Sequence, residues 1–600
     1  MRNHYESERK FPSISPRRGN IIERMFRSYI GASVLVMVAV PLHEMTDGVL
    51  LGHAVTPDAL SLIALLVPLN TIFFAIKMVF VTGNSIIAAK AFGAREDRRM
   101  CEVFTVAITS QVTVIAALVA LAYIFLPQFT SLFCQGDETL YPMLYKYLQV
   151  ILLQFPILAI SSAFDDFFRL SGRAKLVSRA TVASCLANVV LTYVFLFVFD
   201  MGIRGAALAT IICVACSKLL FVPCLRRGEF PFRFVKMDVQ RYFSILREGI
   251  QTGAPLSVMQ ILVAVTFYVS NSVILKSQGP DGMFLWSVVL QVLSVCQIVA
   301  IGFNGVTQHI GSMLLGEDDF EGYRMLVGKS FFWCAMLAAI IVCLGVIFPD
   351  VLVSFFGEDN PGGLPHGYAR HLGLGILMIF PFIISGFLTT AMTVVGKAKV
   401  ATLFNVLTTV AIMLCAVAGS LGGSDNFWFL LPVTETLILL ALFAVTFFIH
   451  RRNDCYSAFA LMPLFPNDVS MLLEPKYDNS NIGDTLRGIR MFVELADLDE
   501  RQSFSARVCC EGLVDDIVGS EENQTGESFE MRLIDKPDRI IVITKELGAR
   551  RGWNYYDTDD SMNTRLLRGF STTLSYGYYN GVSVTTMSLS KDARPTPLES

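Results

Sequence analysis

The chain has 600 residues; 53% of them are hydrophobic, only 16% are charged, and the formal net charge is −3. Soluble domains carry about 25% charged residues, so this composition excludes an ordinary soluble protein and favours helices in a lipid bilayer. The small net charge indicates no partner by itself, and we expect no nucleic-acid binding. The thirteen cysteines form no C-x-x-C or Cys/His zinc pattern, which predicts buried free thiols, including the adjacent Cys509 and Cys510.

Apolar segments of membrane-spanning length recur through the first three quarters of the chain. About 20 apolar residues cross the hydrocarbon core as a helix, because backbone groups in lipid must bond within their own segment. The predicted transmembrane helices, numbered here as spans 1 to 12, are 28–52, 59–89, 103–126, 147–164, 180–199, 205–223, 249–275, 282–308, 330–349, 372–396, 400–424 and 427–449.

Lys and Arg are distributed unevenly among the loops between these spans. With a cytoplasmic N-terminus, the inner loops hold 18 Lys/Arg and the outer loops hold four. Loops rich in Lys and Arg stay on the cytoplasmic side, so both termini are predicted to be cytoplasmic. Span 1 follows seven Lys/Arg without a small-residue cleavage site, which indicates a retained helix rather than a cleaved signal peptide.

One basic loop occurs twice, half a chain apart. SGRAK (171–175) follows span 4 and VGKAK (395–399) follows span 10, and Gly172 and Gly396 are 224 residues apart. The repetition predicts that the chain is built from two equivalent halves.

Two further pairs of residues show almost the same spacing. Asp47 and Asn271, near the ends of spans 1 and 7, differ by 224, and Gly93 and Gly316, after spans 2 and 8, differ by 223. Each half contains six spans, an even number, so both halves begin on the same side of the membrane. This predicts a parallel repeat. Two lobes that rock around a central site are typical of transporters with alternating access.

These observations predict an all-α membrane protein with twelve transmembrane helices in two six-helix lobes, followed by a small α/β cytoplasmic C-terminal domain. The predicted boundaries are a cytoplasmic segment 1–27, a first lobe 28–223, an inter-lobe loop 224–248, a second lobe 249–450, a linker 451–484 and a C-terminal domain 485–600.

Three stretches resemble the multidrug and toxic compound extrusion (MATE) transporters. They are LSGRAKLVSRATVASCLANVVLTYVFLFVFDMGIRGAALATIICVACS (170–217), DGVLLG (47–52) and AKAFGA (89–94). The resemblance covers about residues 20–450 and rests on the combination of motifs, since each alone is weak. It implies a two-lobe fold and export of amphipathic, often cationic compounds, driven by inward flow of sodium or protons.

An ionisable side chain within a span is costly unless it faces a cavity or a partner, so it is a functional candidate. In span 1, the i,i+3 and i,i+4 spacing of His43, Glu44 and Asp47 allows one shared helix face. The resemblance implies that Asp47 binds the coupling ion, with sodium as the metal it would hold, and Glu44 could share that role. Asn188 of span 5 lies in the resembling stretch and joins the candidate site.

The other polar residues of the spans leave alternatives open. Lys77 could pair with an acid or extend to the membrane surface, and span 12 carries Glu435. Spans 7 and 10 lack the acids that many MATE transporters carry, which puts the identity of the coupling ion in doubt. Gln260 and Gln291 could line a cavity or form helix–helix hydrogen bonds. Asp165 and Asp166 are predicted to form a salt network with Arg169 and Arg173.

The C-terminal segment has the pattern of a soluble α/β domain. Two amphipathic helices precede two strands joined at DKPD (535–538), and GVSVTTMSLS (581–590) predicts a closing strand. This order resembles the anti-sigma-factor branch of the histidine-kinase-like ATPase fold.

The nucleotide motifs of that fold are altered here. Its Glu and Asn, four residues apart, match Glu511 and Asp515, and its Asp-x-Gly reads Glu546-Leu547-Gly548. These residues are the nucleotide-binding candidates, but ATP and magnesium are not expected. A degenerate domain that binds a regulatory protein or regulates transport is the simpler interpretation.

The combined prediction is a secondary active antiporter in a bacterial inner membrane that exports amphipathic or cationic small molecules in exchange for protons or sodium. No enzymatic activity and no cofactor are expected. The alternatives are a flippase for a lipid-linked precursor and a membrane signalling protein that acts through its C-terminal domain.

Overall fold

The chain divides into two units, each described here by itself. The computed structural model describes residues 16–54, 67–94, 96–134, 141–228, 230–355, 368–422, 424–452, 469–477, 480–496, 498–519, 529–547, 562–579 and 582–591. The tail unit comprises Met1–Tyr29, Asp318–Leu326 and Phe465–Ser600, and the membrane unit comprises Ile30–Glu317 and Val327–Leu464.

Helices of membrane-spanning length make up the membrane unit. Within the described residues, eleven helices are long and apolar enough to cross a membrane. They correspond to spans 2 to 12 and run Asn70–Gly93, Asp97–Ile124, Leu144–Leu170, Ala174–Val198, Arg204–Arg226, Val239–Gln278, Leu285–Gly316, Phe320–Ile347, Tyr368–Val394, Ala398–Gly419 and Asn426–Phe448. Span 1 falls within the helix Pro16–Ala54, about half of whose side chains lie outside the described part, so the twelve-helix count stays a prediction.

Short π-helical segments interrupt three spans. They are Met78–Thr82 in span 2, Val194–Val198 in span 5 and Thr307–Gly311 in span 8. Such segments widen the helix locally and occur frequently at functional sites. Spans 2 and 8 are equivalent members of the two predicted lobes, so each lobe carries an irregular turn in its second helix.

The connection between spans 7 and 8 differs from the prediction. Residues 276–281 were expected to form an outer loop, but helical hydrogen bonding continues through Val239–Val306. Trp286 Nε1 nevertheless donates to Asn271 Oδ1 at 2.8 Å. Fifteen residues of straight helix would separate these side chains by about 22 Å, so the chain reverses direction between them, in a turn whose residues keep a helical backbone conformation.

The two copies of the basic loop have the same backbone structure. Gly172 and Gly396 both adopt positive φ, at 78° and 91°. The residue after each glycine donates to a carbonyl five residues back, Arg173 N to Phe168 O at 3.0 Å and Lys397 N to Met392 O at 2.8 Å. This is the Schellman helix end, which glycine permits because it has no Cβ. The repetition therefore extends to individual hydrogen bonds.

Spans 2 and 8 meet backbone to backbone at the ends marked by the second repeated glycine pair. A Cβ on Gly93 would lie 2.0 Å from Met313 O, and a Cβ on Gly316 would lie 2.0 Å from Lys90 O. Lys90 and Met313 also differ by 223, so the contact has approximate two-fold symmetry. The lobes are in direct contact at the end of span 2 that leads into the Lys/Arg-containing segment 90–100.

A five-stranded antiparallel sheet forms the centre of the tail unit, in the order β1-β2-β3-β5-β4. The strands are β1 (Val469–Leu473), β2 (Glu530–Asp535), β3 (Arg539–Leu547), β4 (Thr573–Tyr579) and β5 (Val582–Ser590). The helices are α1 (Ile482–Leu495), α2 (Glu500–Gly519) and α3 (Met562–Phe570). The two strands and two helices expected from the sequence are present, whereas the resemblance to the ATPase fold stays a prediction.

Alternate residues of the strands form the buried face of this sheet, which packs against α1, α2 and α3. Met531 and Leu533 of β2 share one apolar cluster with Val542 of β3, Phe492 of α1 and Leu513 of α2. The period of two places these strand side chains on a single face.

Part of the predicted linker belongs to the sheet. Val469–Leu473 lies within 451–484, and it pairs antiparallel with β2, with Val469 opposite Asp535. Pro, Asn and Asp on both sides favoured a linker, but pairing with a strand some 60 residues later supplies the hydrogen bonds that make it a strand.

Candidate functional site

Asp47 and Glu44 are the strongest candidates from the sequence. Their backbone belongs to the helix Pro16–Ala54, but their side chains lie outside the described part of the structure. Their roles therefore stay predictions, including the sodium site at Asp47. Among the described residues, no group of three or more His, Cys, Asp and Glu side chains could hold a metal ion.

Asn188 lies in a buried polar cluster between spans 5 and 6. Its Nδ2 donates to Thr210 Oγ1 and its Oδ1 accepts from Thr192 Oγ1, both at 3.1 Å, and its exposed fraction is 2%. Amide and hydroxyl oxygens of this kind are ligands for hard cations. Sequence reasoning missed both threonines, although Thr192 is one helical turn after Asn188 and Thr210 ends the quoted GIRGAALAT motif.

Lys77 has an acidic partner, so of its two predicted roles, pairing with an acid or extending to the membrane surface, the structure shows the first. Its Nζ lies 3.4 Å from Asp166 of span 4, and both side chains are mostly buried. Asp165 pairs with Lys218 of span 6 at 2.6 Å. The predicted partners Arg169 and Arg173 are therefore wrong for these two acids. The pairs connect spans 2, 4 and 6, because helix packing brings lysines that are distant in the chain closer than the arginines that follow a few residues later.

His309 is a buried residue of this region that the sequence did not single out. It lies in the π-helical segment of span 8, with Nδ1 2.9 Å from Gly305 O. Asp166 and Lys77 are within electrostatic reach of its ring. The imidazole of the second lobe and the ion pair of the first lobe thus influence each other electrostatically. The polar run GVTQHIGS (305–312), at the end of an uncharged span, was the available signal.

Gln260 and Gln291 are not brought together with these groups. Gln260 is half-buried and Gln291 is exposed, and neither forms a hydrogen bond to another described residue. The structure therefore gives no support to a helix–helix hydrogen bond at either position, and their role in binding stays a prediction.

An apolar cleft of about 290 Å³ lies among spans 2, 3 and 4 of the first lobe. Ile72, Ile115, Leu118, Phe125 and Phe155 are among its lining residues. Such a surface can hold the apolar part of an amphipathic molecule, or a lipid chain.

A small pocket of about 210 Å³ in the tail unit contains two of the nucleotide-binding candidates. Glu511 and Asp515 line it with Asn563 of α3. Glu546 is buried at the end of β3, and Gly548 lies outside the described residues. The structure thus groups Glu511 with Asp515, and nucleotide binding here stays untested.

Two ion pairs hold the segment Asp318–Leu326 within the tail unit. Arg532 Nη2 of β2 lies 3.0 Å from Asp319 Oδ1, with exposed fractions of 8% and 1% for the two side chains. Lys536 pairs with Asp318, and Asp319 Oδ1 also accepts from Gly322 N at 2.8 Å. The segment between spans 8 and 9 is therefore fixed to the C-terminal sheet by buried charges.

The adjacent cysteines of α2 are predicted to be unreactive in the folded protein. Cys509 and Cys510 are free and buried, and burial raises the pKa of the Cys509 thiol from 9.0 to about 12 and also raises the pKa of Cys510. At pH 8 the thiolate fraction of Cys509 falls about a thousandfold, and it recovers only as pH rises toward that pKa.

We expect iodoacetamide to leave both residues unmodified in the native protein and to modify them after denaturation, as measured by peptide mass spectrometry. Rapid modification of native Cys509 at pH 8 would contradict the burial described here.

The sequence signature of the MatE family matches residues 32–194 and 255–417, more than half of the chain. The second match begins 223 residues after the first, which agrees with the repeat spacing. The chain therefore belongs to the MatE family, and it has the helical architecture of its membrane transporters.

Relatives of known name agree with this assignment. The chain is 23% identical to multidrug export protein MepA of Staphylococcus saprophyticus, over 71% of this chain and 95% of MepA. It is 22% identical to the probable multidrug resistance protein YoeA of Bacillus subtilis, over 51% of this chain and 67% of YoeA.

Solved structures show the same fold. A multidrug resistance MATE family transporter of the MOP superfamily, in an outward-facing conformation, matches with a TM-score of 0.62 at 16% identity, over 71% of this chain and 96% of that chain. A mutant of the Vibrio cholerae MATE transporter VcmN matches with a TM-score of 0.63 at 14% identity, over 73% and 99%.

Proposed function

We propose that the protein exports amphipathic or cationic small molecules in exchange for protons or sodium ions, by alternating access between its two lobes. The observation that carries the proposal is the double match to the MatE family, one match in each six-helix lobe. Relatives named as multidrug export proteins support the substrate class. The proposed setting is a bacterial inner membrane, with both termini in the cytoplasm.

The direct contact of the lobes suits alternating access. Gly93 and Gly316 meet at the end that carries the basic loops. If that end is cytoplasmic, as the Lys/Arg distribution predicts, this conformation is closed toward the cytoplasm. Transport then requires this glycine contact to form and break in each cycle.

Asp47 is the proposed coupling carboxylate, with the Asn188 cluster in the same lobe. A carboxylate in a partly dry cavity holds a proton readily and releases it when a competing cation arrives. The buried oxygens of Asn188, Thr192 and Thr210 could complete a shell around sodium.

A flippase for a lipid-linked precursor is the less favoured alternative. Such a protein needs free cations to hold a phosphate group, whereas Lys77 is already paired with Asp166. The signalling alternative would need the tail pocket to bind nucleotide, which nothing in its altered motifs favours.

For the tail unit we propose a regulatory role in transport. Its ion pairs hold Asp318 and Asp319, which lie two and three residues after Gly316 of the inter-lobe contact in the chain. A conformational change in the tail unit, such as one caused by binding of a regulatory protein, can therefore act on that contact, because Asp318 is two peptide bonds from Gly316.

Asp47→Asn is expected to abolish ion-driven transport, because the amide cannot exchange a proton or supply a charged ligand. The measurement is uptake of a fluorescent cationic dye by liposomes containing the protein, under an imposed proton gradient and then a sodium gradient. The gradient that drives dye movement identifies the coupling ion.

Glu44→Gln is the matched control, since it removes a carboxylate one turn away in the same helix. Transport that survives in Asp47→Asn and is lost in Glu44→Gln would move the coupling site to Glu44. Absence of movement under both gradients with several cationic dyes would count against the exporter.

A further inference from the structure

Glu435 of span 12 is a buried carboxyl group that the proposed mechanism does not use. Its exposed fraction is 0%, and neither Oε1 nor Oε2 has a hydrogen-bond partner among the described residues. The polar groups of buried side chains are nearly always hydrogen-bonded, so a carboxyl group with both oxygens free requires an explanation.

The carboxyl group lies deep in the span. The helix crosses as Asn426–Phe448, which places Glu435 nine residues from one end and thirteen from the other. At about 1.5 Å per residue, that is about 14 and 20 Å from the two ends. Extension to either membrane surface is therefore out of reach for a glutamate side chain.

Apolar side chains surround Glu435 along the buried stripe of span 12. Leu431 and Leu442 of the same stripe are fully buried, and Leu439 is 9% exposed. Leu439 and Leu442 pack in one apolar cluster with residues of spans 10 and 11. The carboxyl group thus sits in the core of the second lobe.

Among the side chains that the structure describes, no charged group is placed to compensate a carboxylate at this position. Span 12 packs against spans 10 and 11. The titratable group that lies near Glu435 is Cys415 of span 11, whose Sγ is 3.3 Å from Thr434 Oγ1. The remaining ionisable side chains of spans 10 and 11 lie at the ends of the spans and are Tyr368, Arg370, His371, Lys397 and Lys399.

An ionised carboxyl group without partners in such a core costs several kcal/mol, so the group is neutral in this conformation. A metal ion is not expected to replace the proton, because no group of three or more His, Cys, Asp and Glu side chains that could hold one is present among the described residues. The group therefore carries a proton.

We propose that Glu435 is a second proton-binding site, in the second lobe, which binds a proton in the conformation seen here and releases it to water when that lobe rearranges. Release leaves a carboxylate, and a proton from water on the opposite side restores the acid. Pro432, one turn earlier, leaves the carbonyl of Trp428 without its helical donor, which provides a point at which span 12 can bend. The inference rests on the proposed ion-driven export and adds the proton as a coupling ion.

The first test does not depend on transport. Dicyclohexylcarbodiimide reacts with protonated carboxyl groups in apolar surroundings, and peptide mass spectrometry locates the product. We expect Glu435 of the full-length protein in liposomes to be modified at about pH 6 and to lose reactivity toward about pH 9, a range in which buried carboxyl groups titrate. Modification that is absent, or that does not change with pH, overturns the proposal.

The second test compares Glu435→Gln with wild type. Glutamine matches the neutral acid in shape, so folding is retained, and Leu437→Ala on the exposed side of the same helix is the control. We expect Glu435→Gln to lose the proton-driven component of dye transport, and Leu437→Ala to keep it. Unchanged proton-driven transport in Glu435→Gln makes the group structural and overturns the proposal.

The two tests separate the proposals. If wild type transports no dye, the exporter proposal fails, while pH-dependent modification of Glu435 still decides whether this group exchanges protons. If Glu435→Gln has a lowered melting temperature, Glu435→Met replaces it, because methionine fills a similar volume without oxygen or nitrogen atoms. Glu435→Met is then tested in the same dye assay.

Discussion

Gly316→Ala and Gly93→Ala are each expected to lose transport while the protein stays folded. The added Cβ would lie 2.0 Å from a backbone oxygen in both cases, Lys90 O for Gly316 and Met313 O for Gly93. Backbone cannot rotate away as a side chain can, so the two lobes must separate at this end. Overpacking of this kind costs about 1–3 kcal/mol, which shifts a two-conformation equilibrium about 5- to 150-fold.

The measurement combines dye transport with the labelling rate of a cysteine placed at Ala94, beside the contact. We expect faster labelling from the side of the basic loops in both glycine variants. Gly328→Ala is the matched control, because the same methyl group meets nothing within 4 Å there. Equal transport by Gly316→Ala and Gly328→Ala would show that the glycine contact is not needed in the cycle.

Asp319→Asn is expected to destabilise the tail unit by about 1.5–3 kcal/mol, the range for a hydrogen bond to a charged group, because it removes the nearer of the two carboxylates that neutralise the buried Arg532 and leaves Glu530 at 3.7 Å. The two side chains are 1% and 8% exposed and their atoms are 3.0 Å apart. Asparagine retains an oxygen that can accept from Gly322 N, so the start of the span 9 helix keeps its cap. The effect therefore reports the ion pair rather than the helix end.

Hydrogen exchange of the β2 and β3 amides in the full-length protein measures this loss, since protection of a sheet reports its opening free energy. Arg487→Ala is the control: its ion pair with Asp484 is exposed, and such pairs contribute about 0–1 kcal/mol. If Asp319→Asn changes exchange no more than Arg487→Ala does, the buried pair does not hold the segment Asp318–Leu326. A change in the transport rate of Asp319→Asn alone would support the regulatory role of the tail.

Features that depend on short stretches of chain were predictable. Eleven of the predicted spans appear as helices, because the apolar content of about 20 residues decides whether a segment can enter lipid. The conformation of the repeated loops was equally predictable, because the hydrogen bonds at a helix end that carries glycine are formed with the preceding turn of the same helix. Gly172 and Gly396 adopt the same conformation for this reason.

Features that depend on distant residues were not predictable in the same way. The partners of Asp165 and Asp166 were sought at Arg169 and Arg173, nearby in the chain, but lie on spans 6 and 2. Strand β1 was taken for linker because its partner strand is some 60 residues later.

The sequence by itself determined the membrane class, the two-lobe repeat and the family. The reason is that the length of apolar segments, the charge of loops and the glycine conformation at helix ends each depend only on contiguous residues. Only the tertiary structure decided that Lys77 is neutralised by Asp166, that His309 reaches the same region, and that Glu435 has no hydrogen-bond partner among the residues described. The physical reason is that the charge state of a buried group depends on everything packed around it, and that environment comes from helices far apart in the chain.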